Sequence, residues 1–217
     1  MTEQKRSRLL LRLAIALAAI GVLGYLFMHS LETTRSEPYS VERGHLGKWT
    51  LVLEPAEASN APLLSVRTDL ELAAGLFRQL FSRAMESMDT PATASIPIVL
   101  RGEFDRGLAG RMTRDALLAA AREAGLESAP HEPRCLAHRR ISEPGMTRQV
   151  YFAIVESPAI VGFREQLART GEAALDAAAL TPVMFVGASD AGFHRWLPIR
   201  AVEADCVAPI RIVPGKG

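Results

Sequence analysis

Residues 134–156 read RCLAHRRISEPGMTRQVYFAIVE. Arg134–Ile141 and Gln149–Glu156 are strand-length runs, the second rich in β-branched and aromatic residues, which predicts two strands. Ser142–Met146 between them contains Pro144-Gly145, a pair that turns a chain back on itself. Two strands joined by such a turn are expected here, and the remaining elements are read outward from them.

Downstream, Ser157-Pro158 marks a helix start, with serine as cap and proline in the first turn. Ile160, Val161, Phe163 and Leu167 give that helix an apolar side. A short alanine-rich helix is expected near Glu172–Ala179, then a buried-type strand at Pro182–Val186 and one or two final strands over Trp196–Val202 and Val207–Val213. Upstream, a helix at Thr113–Ala124 carries Leu117, Leu118, Ala121 and Ala124 on one face and stops at Gly125. Before it come a glycine-containing loop and a strand at Ile96–Arg101, which Pro97 pushes to a sheet edge or a strand start. Further back, Thr68-Asp69-Leu70-Glu71 reads as a capping box for a helix over Asp69–Ser87. Lys48–Glu54 is a strand, joined to that helix by a loop containing Pro55 and Pro62. From Ile96 the order is β-α-β-β-α-β, an α+β arrangement with the element order of a ferredoxin-like α/β-sandwich.

The N-terminus differs in kind. Leu9–Leu31 is apolar apart from Arg12, His29 and Ser30. As a helix it would run roughly 35 Å at 1.5 Å per residue, enough for a bilayer core of about 30 Å. It is longer than the apolar region of a cleaved secretory signal and lacks a small-x-small site after it. Residues 1–8 then form a cytoplasmic basic tail, 9–31 a transmembrane anchor, 32–47 a polar tether and 48–217 an exported domain. Lys5, Arg6, Arg8 and Arg12 precede or open the span, whereas Glu32–Gly47 mixes both signs, so the positive-inside bias keeps the N-terminus in the cytoplasm. The expected location is a bacterial inner membrane, single-pass, with the domain in the periplasm. The bilayer is thus the first partner expected. Ala14, Ala18, Gly21 and Gly24 are spaced to let two spans pack closely, but nothing else in the sequence calls for a homo-oligomer.

Hydrophobic residues make up 48% of the chain and aromatic residues 6%. Of 25 Lys+Arg and 24 Asp+Glu, the first twelve residues take four and one, leaving 21 basic and 23 acidic. A domain so near neutral has no bulk attraction for nucleic acid.

Cys135 and Cys206 are the only cysteines. An even pair in an exported domain predicts a disulfide. The rival is a metal site built on Cys135-x-x-His138, with His131, His194 and Cys206 to complete it. Gly187-Ala188-Ser189-Asp190-Ala191-Gly192 partly matches a nucleophile elbow, making Ser189, Asp190 and His194 the candidate catalytic residues. The second glycine position is Ala191, and acid and base would follow in the wrong chain order. Arg134 and His138-Arg139-Arg140 form a basic cluster suited to an anionic headgroup or glycan, or simply to a solvated strand face. Asp105–Arg111 has glycines without the lysine of a phosphate loop. No cofactor motif is present. The favoured function is a non-catalytic interaction or scaffold module binding another envelope protein. The alternative is a hydrolase-like envelope enzyme with its site near Ser189 and His194.

Overall fold

The structure is a computed structural model that describes residues 3–55, 57–84, 86–170 and 175–215, with side chains described outside 3–12, 30–36 and 143. The chain divides into two compact units, Met1–Glu37 and Pro38–Gly217.

The first unit is one helix, α1, Glu3–Ser36, of 34 residues. Its large apolar side chains from Leu13 to Met28 are all more than half exposed. The described side chains end at His29, a stretch of about 25 Å at 1.5 Å per residue. Among the described residues, no helix is long and apolar enough to cross a membrane.

The second unit is a mixed α+β domain. Its strands are β1 Tyr39–Glu42, β2 Thr50–Leu53, β3 Pro62–Thr68, β4 Ala94–Leu100, β5 Glu132–Glu143, β6 Met146–Glu156, β7 Val183–Ala188 and β8 Cys206–Val213. Its helices are α2 Leu70–Ala84, α3 Arg101–Gly107, α4 Arg114–Glu123 and α5 Pro158–Thr170. A curled five-stranded sheet has the order β1-β8-β5-β6-β7, and a small sheet the order β2-β3-β4. All pairings are antiparallel except β1 with β8.

The hairpin forms as its residues require. β5 and β6 pair from Glu132↔Glu156 to Glu143↔Met146, closed by Pro144 and by Gly145 at φ 78°. A left-handed φ after proline suits glycine, which has no Cβ to clash. The near-continuous apolar run of β6 follows from burial on both sides. Tyr151, Ala153 and Val155 enter the main core with α2, α4, α5 and the small sheet. Val150 and Phe152 enter a second core on the other face. That second core is covered by Leu197 and Ile199, from a segment that runs between β7 and β8.

Several expectations change. The ferredoxin-like order does not hold: β6 and β7 are direct neighbours, with no strand inserted between them. Tyr39–Glu42, within the expected tether, is β1, because Tyr39 and Val41 are buried and pair with β8. The expected loop after β2 contains β3, and the expected loop after β4 contains α3. Pro97 does lie on an edge strand, β4. Trp196–Val202 is not a strand. It contains the end of a 3-10 turn, Phe193–Trp196, and a cis Leu197–Pro198 bond. Its apolar residues cover a sheet face rather than join the ladder. The cap of α2 is Asp69, whose Oδ1 accepts from the Glu71 amide at 3.0 Å. Thr68 instead ends β3 and donates to the His45 carbonyl. The cap at Ser157 forms as expected, accepting from Ile160, and Thr113, read as the first helical residue, caps α4 by accepting from Ala116. Of the alanine-rich helix, residues 171–174 lie outside the described residues, and Ala177–Ala179 is a 3-10 turn capped by Asp176.

Candidate functional site

β4 lies against β7 without joining its ladder. A groove of about 350 Å³ runs along this seam. Pro55, Pro62, Pro91 and Pro97 line it from the small sheet and its loops, Phe185 from β7, and Phe193, His194 and Leu197 from the covering segment. Prolines cluster here for a physical reason. Each lacks an amide donor, so a wall rich in them leaves few main-chain groups needing partners at a sheet margin. Phe185 and Phe193 meet at 5.6 Å between ring centroids, tilted by 44°.

One ion pair is set into this apolar wall. Arg67 Nε donates to Glu54 Oε1 at 3.0 Å, and its Nη2 donates to Oε2. The side chains are 34% and 17% exposed, so the pair is only partly open to water. Asn60 Nδ2 donates to the His194 carbonyl at 2.9 Å and fastens the covering segment over the groove. Behind the lining, Ser65 pairs in register with Pro97. Ser65 is fully buried and its Oγ has no partner among the described residues.

The sequence-derived catalytic candidates do not converge. Ser189 Oγ accepts from the Gln149 amide at 3.1 Å, at the end of β7. Asp190 Oδ1 accepts from the Gly192 amide at 2.8 Å, closing a turn. Among the described residues, no hydrogen bond joins Ser189 to Asp190 or His194. The glycines have packing roles. A Cβ on Gly187 would press on the Phe77 ring at 3.2 Å, and one on Gly192 would meet Asp190 Oδ1 at 2.7 Å. Only His194 lines the groove.

Cys135 and Cys206 are disulfide-bonded, with Cα atoms 5.8 Å apart. The bond ties β5 to the start of β8. It also overturns the metal alternative at Cys135 and His138, since neither sulfur is a free thiolate. His138 stacks on Tyr151 at 4.4 Å. His131 is buried, with Nδ1 2.7 Å from Ser157 Oγ and Nε2 2.8 Å from the Leu126 carbonyl. The carbonyl can only accept, so Nε2 carries the proton and Ser157 donates to Nδ1. The basic cluster is largely paired: Arg134 with Glu156, and Arg139 with Asp205 at 2.8 Å. Arg101 and Asp105 pair at 2.6 Å within α3.

Sequence reasoning missed the groove. Its walls come from separate stretches of the chain, and Glu54, just after β2, is 13 positions from Arg67 on β3. The one local signal was the density of prolines flanking β2, β3 and β4.

These features define an α+β domain, stapled by one disulfide, with a curled sheet, a small sheet and an apolar groove between them. No protein-family model, curated protein or solved structure matches the chain.

Proposed function

We propose that the protein is a membrane-anchored binding module of the cell envelope, with α1 as anchor and the seam groove as the face that engages another envelope protein. The groove carries this reading. Apolar walls around a few placed polar groups suit a ligand segment with both apolar side chains and main-chain polar groups. Arg67 and Glu54 supply a donor and an acceptor side by side. An extended peptide fits such a site better than a bulk polyanion does.

The anchor is supported by the apolar run Leu9–Leu31 lying within a single helix, and by side chains exposed all round it from Leu13 to Met28. A helix apolar on every side needs an apolar surrounding. The disulfide supports an oxidising compartment, and the basic residues ahead of the span support a cytoplasmic N-terminus.

An enzyme is the second reading, and the position of His194 in the groove favours it. The two separate by substitution in cells. Arg67→Glu should abolish the cellular phenotype of the gene, while Ser189→Ala and His194→Ala leave it intact. Loss of the phenotype with either alanine variant, in a folded protein, would replace the binding reading with the enzymatic one.

A further inference from the structure

We infer that the tip of the β5–β6 hairpin docks into an anionic lipid surface; this rests on the reading of the chain as membrane-anchored. The hairpin outruns its neighbours. β8 pairs with β5 only over Cys135–Ala137, and β7 pairs with β6 only over Val150–Ile154. Residues 140–148 therefore form a two-stranded arm that, among the described residues, has no strand on either edge. Two strands alone are marginally stable in water, and this pair also exposes large apolar side chains at its end. Ile141 is 45% exposed and Met146 50% exposed.

The register sorts the arm into faces. Ile141 opposes Arg148, and Glu143 opposes Met146. Directly opposed residues share a face in an antiparallel pair, so the positions of Ile141, Glu143, Met146 and Arg148 lie on one face. Arg148 Nε lies 3.2 Å from Met146 Sδ. The other face carries Arg140 opposite Gln149 and Ser142 opposite Thr147.

The spacing along the arm matches an interface. Met146 is beside the turn and Arg148 two residues behind it, about 7 Å at 3.4 Å per residue. An apolar element sinks about 5–10 Å into the headgroup and acyl boundary. With Met146 at that depth, the Arg148 guanidinium stands at phosphate level, and Arg140 approaches the same plane from the other face. Arg140 and Arg148 outnumber Glu143 on the arm, a small local excess of positive charge in a domain that is nearly balanced.

The test uses the full chain with Met146→Cys carrying an environment-sensitive fluorophore, labelled without reductant so that the native disulfide stays closed. The chain is reconstituted into nanodiscs of phosphatidylcholine, with or without phosphatidylglycerol. Co-elution with discs reports the anchor, and quenching by lipid-borne quenchers reports the tip. The expected result is several-fold stronger quenching in anionic discs, lost in R140E/R148E. If the chain does not co-elute, the anchor reading fails, and the labelled chain is mixed with phosphatidylglycerol vesicles. Quenching there still supports the tip. A tip that stays water-exposed on anionic lipid, or is quenched equally in neutral discs, overturns the inference. So does shielding that appears only when envelope protein extract is added, which would assign the arm to a protein partner.

Discussion

Arg164 Nη2 donates to Glu103 Oε1 at 2.8 Å, between side chains 1% and 9% exposed. The guanidinium also bonds the carbonyls of Ile98, Asp176 and Ala177, and Glu103 accepts from the Leu100 amide. One cation thus joins α5, α3, the end of β4 and the 3-10 turn after α5. Removing one partner of such a pair strands a buried charge, which costs on the order of 3–5 kcal/mol. Arg164→Met should destabilise the domain by that amount in urea unfolding. Arg164→Met with Glu103→Leu should recover part of it, though three carbonyls then lose their donor. A single variant with unchanged midpoint would remove the network from the stabilising features.

The disulfide closes a separation of 71 residues. Loop closure of that length contributes roughly 4 kcal/mol in the chain-entropy model. Alkylation of protein from the envelope should find no reactive thiol before reduction and two afterwards. Cys135→Ser with Cys206→Ser should lower stability by a comparable amount. Two freely alkylated cysteines in native protein would contradict the bond.

His131 is 1% exposed and meets the edge of Trp49 at 4.8 Å. Burial lowers its pKa below the ordinary 6.5, against the Leu126 carbonyl bond, which raises it. The unfolded chain then takes up a proton that the folded one resists. Stability from this group is complete above the unfolded value and is lost as pH falls from there through the folded value, at no more than about 1.4 kcal/mol per pH unit. Urea midpoints should drop between about pH 7 and pH 5 in the native protein. His131→Asn should flatten that slope, whatever its absolute stability. An equal slope in both would assign the effect elsewhere.

Topology has its own readout. A periplasmic phosphatase reporter fused after Gly217 should be active, and the mature chain should still begin near Met1. An inactive reporter would reverse the orientation. A mature N-terminus near Leu31 would replace the anchor with a cleaved signal.

Much of the fold was legible where a local pattern had one cause. The hairpin and the helices around Leu117 and Ile160 follow from period, turn chemistry and caps, and the disulfide from the cysteine pair. β1 was hidden because a four-residue strand at Tyr39 has too little pattern to separate it from a tether. The Trp196–Val202 segment misled because apolar residues that cover a sheet look like those within one. Buried Arg164 looked like any helical arginine, since its partners are 61 or more residues away or lie on the main chain. The same holds for the groove, whose Glu54–Arg67 pair depends on β2–β3 register. Ser189 and Asp190 drew notice for a motif that turned out to serve a turn and a strand end.

The binding reading is tested most directly by a photo-cross-linking residue at Phe193, in the full chain, in native membranes. The account predicts a discrete adduct with one envelope protein, lost with Arg67→Glu and retained with Ser189→Ala and His194→Ala. No adduct from a folded, membrane-inserted chain, together with loss of the phenotype in either alanine variant, would contradict it.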